Sequence, residues 1–273
     1  MKARSAKTGP GARPGRAILH RRRTLDARET TMLPVTKEYR PFWLRRLHSL
    51  TGLVPLGSFF LLHLFANARA MQGERGFRAM VLGIQGVPGL LLVELLLVFL
   101  PLAIHAGIGL SIALCSRPNV GAYPLPRNWS YVLQRVTGVV TFAFLAYHLA
   151  SLRLRVALGS LGPTDFFSTL TDALSTTTAF GFPTAAVVYL IGIAAASYHL
   201  ANGIAGFCWT WGITITRRGN RIAGAAGTAV GACTFLLGAT TVLYYATGSP
   251  WLGETSSPSL GGERGAASTR GQP

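Results

Sequence analysis

VELLLVFLPLAIHAGIG, residues 93–109, sets one histidine, His105, deep in an apolar run, and the chain does the same in three other places. These are LLHLF (61–65) around His63, AYHLA (146–150) around His148 and SYHLANG (197–203) around His199. An imidazole in hydrocarbon is costly unless its nitrogens are satisfied, so a histidine inside a membrane segment marks a functional site by default. One alone is equally well explained as a hydrogen-bonded packing residue. Four, one to a segment and at matched depths, are not.

The rest of the composition agrees with a membrane setting. Hydrophobic residues make up 49% of the 273 and charged residues only 13%, a polytopic membrane protein rather than a water-soluble domain. The formal charge of +17 invites a nucleic-acid reading, but the arginines and lysines gather at the N-terminus and between the apolar segments. There they set topology and meet anionic lipid, and no nucleic-acid partner is expected. Cys115, Cys208 and Cys233 are scattered, and the absence of CxxCH excludes covalent c-type haem attachment.

Five apolar segments, I to V, run at 47–70, 89–114, 132–155, 183–213 and 222–247, each near the roughly 20 residues a bilayer requires. In lipid such segments are helices, because every backbone group must be satisfied internally. The expected fold is therefore all-α, a five-helix transmembrane bundle over residues 41–247. Residues 1–40 are basic, with Arg21, Arg22 and Arg23 in a row, and no secretory h-region comes after them; they read as a disordered cytoplasmic extension. Met32 is a second candidate start, since MLPVTKEYRPFW leads straight into segment I. The Gly/Ser-rich stretch 248–273 reads as a disordered tail. Arg45, Arg46, Arg117, Arg127, Arg217, Arg218 and Arg221 fall on one side. The other side has Arg69, Arg75, Arg78, Arg153 and Arg155, offset by Glu74, Asp165 and Asp172. That bias places the N-terminus inside a bacterial cytoplasmic membrane.

Depth then pairs the histidines. His63 lies 16 residues after Leu47, His105 16 after Gly89, His148 16 after Val132 and His199 16 after Pro183. At ~1.5 Å per residue each is about 24 Å into a core about 30 Å thick. Because the helices alternate in direction, His63 and His148 share an outer layer, and His105 and His199 share an inner one. Two imidazoles on facing helices can be the axial ligands of one haem iron, so two layers imply two haem b groups. Gly107, Gly109, Gly203, Gly206, Gly52 and Gly138, near the histidines, would leave gaps for a flat macrocycle. Arg45, Arg46, His48, Ser49 and, one turn into segment III, Arg135 stand at the inner end, where arginine pairs well with propionate carboxylates. His48 lies too near the edge to be a ligand and reads as a hydrogen-bonding residue. Glu94, the one acid in segment II, is the candidate catalytic group, giving protons to or taking them from a quinone; its other reading is a protonated side chain bonded to a neighbouring helix.

FWLRRLHSLTGLVPLG (42–57), VELLLVFLPLAIHAGIG (93–109), RNWSYVLQRVTG (127–138), YHLANG (198–203) and TWGITIT (210–216) resemble the cytochrome b subunit of succinate dehydrogenase. The likeness is to the five-helix, dihaem b558 type, related to the cytochrome b of dihaem fumarate reductases, and covers about residues 41–220. It implies iron ligation by His63, His105, His148 and His199, and inner-haem propionate contacts that include His48 and Ser49. It also implies flavoprotein and iron–sulfur subunits docked on the cytoplasmic face, and a quinone, menaquinone by expectation, as electron acceptor. The chain would then be one subunit of an oxidoreductase complex, with no succinate chemistry of its own. Dihaem fumarate reductases carry a glutamate two residues before the segment IV ligand; here that position is Ser197. The alternatives are a fumarate reductase anchor working as a quinol oxidase and, in another class, a proton-coupled transporter using histidine relays. A transporter usually shows internal repeats, and none is convincing in the sequence.

Overall fold

Leu-, Ala- and Gly-rich runs leave no backbone partner but the helix itself, and the chain folds accordingly. The computed structural model describes residues 36–162 and 164–249, which are helical with no strand among them. It divides into two compact units, Met1–Phe42 and Trp43–Pro273. In the first, the described residues 36–42 are helical; the second is the bundle. Of the extension 1–40 and the tail 248–273, both expected to be disordered, residues 1–35 and 250–273 lie outside the described residues, and residues 36–40 are helical instead.

Five helices are long and apolar enough to cross a membrane: span I, Phe42–Gln85; span II, Leu90–Leu114; span III, Pro126–Ala157; span IV, Thr184–Thr210; and span V, Arg217–Thr247. Span I begins as α1 (Thr36–Thr51), passes a π segment at Gly52–Gly57 and continues as α2 (Ser58–Ala68). It does not stop near residue 70, where the apolar run ends. A 3-10 turn at Arg69–Gln72 leads into α3 (Gly73–Gln85). Span II is α4 (Leu90–Glu94), a π segment at Leu95–Phe99 and α5 (Leu100–Leu114). Span III is α6 (Pro126–His148), a π segment at Leu149–Arg153 and α7 (Leu154–Ala157). A short α8 (Phe166–Ser175) precedes α9 (Thr184–Thr210) and α10 (Arg217–Thr247), which are spans IV and V. Two of the three π segments have a proline behind them. Pro55 lies inside the first, and Pro101 lacks the N–H that would reach back into the second.

Span V packs on span IV through glycines. A Cβ at Gly231 would stand 2.6 Å from Ala201 Cβ and 2.9 Å from the Ser197 carbonyl, and one at Gly238 2.7 Å from Ile193 Cγ2. This is the close approach that small residues permit in lipid. Span V ends at Gly248, whose φ of 70° lets its N–H return to the Tyr244 carbonyl at 2.8 Å. Phe77 of α3, Leu170 and Leu174 of α8, Tyr189 and Ile193 of span IV, and Val242 and Tyr245 of span V form a buried cluster. Spans II and III are different: among their described residues, Pro101 is the one that is buried. Between the spans runs a cavity of about 2070 Å³ lined from all five. Outside, Leu62, Leu92 and Leu236 are 60% or more exposed, a surface suited to lipid tails.

Candidate functional site

The structure brings the four histidines together in two pairs. The rings of His63 and His148 have centroids 5.7 Å apart at 85°, and those of His105 and His199 are 6.1 Å apart at 90°. These are the two pairs that the depth count yields. All four line the cavity.

The inner pair is held by backbone. His105 Nδ1–H donates to the carbonyl of His48 at 2.9 Å, and His199 Nδ1–H donates to the carbonyl of Gln134 at 3.0 Å. A carbonyl can only accept, so the proton of each neutral ring sits on Nδ1 and the Nε2 lone pair is the acceptor; at His199 the Gln134 amide Nε2 stands 3.4 Å from it. In the outer pair, His148 Nδ1 lies 3.1 Å from the Tyr189 hydroxyl. Asn67, one turn beyond His63, donates to the His63 carbonyl at 2.8 Å and stands 3.3 Å from its Nε2.

The remaining candidates fall into two groups. At the inner end, His48 stacks on His105 at 4.0 Å and donates Nδ1–H to the His105 carbonyl at 3.0 Å. Ser49 donates to the Arg46 carbonyl and accepts from Trp211 Nε1 at 3.1 Å. Arg46 lies over the Trp211 ring at 5.0 Å, and Arg127 over Trp209 at 4.8 Å. Arg135 donates to the Tyr131 carbonyl at 2.7 Å, lies over that ring, and keeps a buried Nε with no hydrogen-bond partner among the described residues. At the other end, Glu94 forms an ion pair with Arg153 at 2.8 Å. Arg153 is by sequence one of the outer loop arginines; in the structure it reaches back to span II instead. Both line the cavity, as does Arg135.

Gln134, Asn67, Tyr189 and Arg153 do not stand out as site residues in the sequence. Each carries a signal all the same: a polar side chain within an apolar run, about one to four turns from a histidine. The glycines sort differently from expectation. A Cβ on Gly52 would overlap the His105 ring, and one on Gly138 would come 2.9 Å from His199 Cε1, so both abut inner-pair rings on neighbouring spans. Gly107 is exposed, with nothing within 4 Å of its would-be Cβ, and is not part of the site.

These residues fit haem. Among the described residues no three His, Cys, Asp or Glu side chains converge on one point. Each imidazole pair supplies two ligands, the number that the axial positions of a haem take. With about 2 Å from metal to nitrogen and about 1 Å from nitrogen to ring centre, two axial imidazoles stand about 6 Å apart. The observed 5.7 and 6.1 Å match. A cavity of about 2070 Å³ is about twice the upper end of single-ligand pockets, and the orphaned Nε of Arg135 suits a carboxylate.

Residues 118–238 match the family model described as succinate dehydrogenase/fumarate reductase transmembrane subunit. The chain is 37% identical over 183 residues to the succinate dehydrogenase cytochrome b558 subunit of Bacillus subtilis (strain 168), across 67% of this chain and 86% of that protein. The chain belongs to the succinate dehydrogenase/fumarate reductase transmembrane-subunit family. In this transmembrane subunit the family match takes in spans III and IV with His148 and His199, and much of span V.

Proposed function

We propose that the chain is the dihaem cytochrome b anchor of a succinate:quinone oxidoreductase, with His63 and His148 holding one haem b and His105 and His199 the other. The observation that carries this is the two imidazole pairs, each at bis-axial spacing. Bound at both layers, haem b supplies reversible one-electron transfer, linking an iron–sulfur subunit at the inner face to menaquinone near the outer one.

The chain's own residues do the rest. The carbonyls of His48 and Gln134 fix the tautomer of the inner rings, and Tyr189 orients His148. Arg135, Arg46, His48 and Ser49 gather at the inner end, where propionates would need partners. Glu94, bonded to Arg153, exchanges protons with the quinone. The arginine bias sets the N-terminus in the cytoplasm, where the flavoprotein and iron–sulfur subunits dock. Family membership sets aside the histidine-relay transporter. Ser197, in place of the glutamate of dihaem fumarate reductases, favours succinate oxidation over the reverse; it is 2% exposed, beneath Gly231 of span V.

The test is haem content. Pyridine haemochrome assay of the purified complex should give two haems b per chain; one or none would refute the proposal.

A further inference from the structure

The hydrogen bonds at the inner pair are written twice. In span I, LHSLTG (47–52) places His48 four residues before Gly52; in span III, LQRVTG (133–138) places Gln134 four before Gly138. In span II His105 stands four before Gly109, and in span IV His199 four before Gly203. Within each antiparallel pair the same clasp closes. The first residue's side chain donates to the histidine's carbonyl: His48 Nδ1 to His105 at 3.0 Å, Gln134 Nε2 to His199 at 3.2 Å. The histidine's Nδ1–H donates back to the first residue's carbonyl, at 2.9 and 3.0 Å. Three of the four glycines leave room for the crossed side chains, whereas a Cβ on Gly203 would come no nearer than 3.8 Å to Gln134 Nε2. A Cβ on Gly52 or Gly138 would strike the histidine, and one on Gly109 would come 2.8 Å from His48 Cε1.

The spacings to the other functional residues differ by one, and the π segments absorb the difference. His63 lies 11 residues after Gly52 and His148 lies 10 after Gly138; the π segment Gly52–Gly57 lies in the longer stretch. A π turn is a helix with one residue inserted, so the two outer histidines return to the same register. Glu94 precedes His105 by 11 and Tyr189 precedes His199 by 10, and the π segment Leu95–Phe99 again lies in the longer one.

We propose that spans I–II and III–IV are two copies of one helical hairpin, and that Gln134 positions His199 as His48 positions His105. This rests on the haem reading above. It also gives His48 a role other than propionate contact: with Nδ1–H committed to a carbonyl, the neutral ring has only an acceptor nitrogen to offer. Asn202 holds Gln134 in turn, donating to its Oε1 at 3.0 Å. Supporting partners of this kind change the hold on a ligated group about 10–100-fold.

The test uses the assembled complex, in which redox titration with EPR detection separates two haem components. The one lost in His199→Ala is the inner. Gln134→Ala should shift the midpoint and low-spin signature of that component and leave the outer in place; each tenfold change in relative hold reads as about 59 mV for one electron. Gln134→His, which gives span III the residue of span I, should retain the unaltered signature, as should His48→Gln. An inner component unchanged in Gln134→Ala, or one displaced together with the outer, overturns the proposal. So does Gln134→His behaving like Gln134→Ala. If Gln134→Ala does not assemble, the two exchange variants decide: an ordinary inner component supports the equivalence and its loss overturns it. A complex without haem in the unaltered chain is a different outcome, the failure of the haem reading itself.

Discussion

Gly52 has no side chain because the His105 imidazole occupies that place. Gly107, two residues beyond that histidine, faces nothing. Gly52→Ala should therefore cost about 1–3 kcal/mol by overpacking and disturb the inner haem's spectrum, while Gly107→Ala should leave both stability and spectrum within error. Thermal unfolding and reduced-minus-oxidised spectra of the two purified variants check this. At the far end, Glu94→Gln keeps shape and hydrogen bonding but removes the ionisable proton. Quinone reduction should slow, whereas succinate oxidation by an artificial dye, on the soluble subunits, should persist and report correct assembly. Normal quinone turnover would make the Glu94–Arg153 pair a structural link between spans II and III. At this scale the sequence is informative where chemistry is rare in its surroundings. Four histidines and one carboxylate in apolar runs can be seen without coordinates. Gln134 and Tyr189 are marked only by polarity in an apolar run, and amide and phenol are ordinary enough in a helix that a partner at 3.2 or 3.1 Å is needed to single them out. Gly107 and Gly52 look alike in sequence; the direction each faces depends on the helix phase.

That phase is set by elements the apolar pattern does not encode. Length and hydrophobicity give five spans, but π segments at 52–57, 95–99 and 149–153 rotate the helical turns beyond them. Only Pro55 and Pro101 hint at two of the three. The helices α3 and α8 escape a reading of apolar runs for a different reason. Arg75, Arg78 and Glu74 interrupt one, and Ser168, Thr169 and Asp172 the other, so neither is an apolar run. Each instead buries a narrow stripe, Phe77 on α3 and Leu170 with Leu174 on α8, in the cluster that contains Tyr189, the partner of His148. Both helices therefore pack into the same buried cluster as Tyr189. Phe77, 6% exposed, stands 5.9 Å from Phe167 and 6.3 Å from Tyr245. Phe77→Ala should lower the stability of the complex by about 3–5 kcal/mol, read as a fall in the unfolding temperature. Leu62→Ala, on the lipid face, should stay within about 0.5 kcal/mol. Equal effects of the two would mean that α3 does not cap the bundle.

The whole molecule is a frame that sets four imidazoles in two layers. Spans I and III run in one direction and II and IV in the other; His63 and His148 stand 21 and 22 residues beyond Phe42 and Pro126, and His105 and His199 each 15 beyond Leu90 and Thr184, so the histidines meet in alternate-helix pairs. An adjacent pair such as His63 with His105 would be separated vertically by roughly 18 Å, ~24 Å less about 6 Å of depth, too far for one iron. Span V carries no ligand and closes the bundle through its glycines against span IV. The direct measurement is redox titration of the complex carrying each single change in turn. His105→Ala and His199→Ala should lose the same component. His63→Ala and His148→Ala should lose the other, because each haem has its own midpoint. If His63→Ala and His105→Ala lost the same component while the second persisted in both, the two-layer architecture would be contradicted.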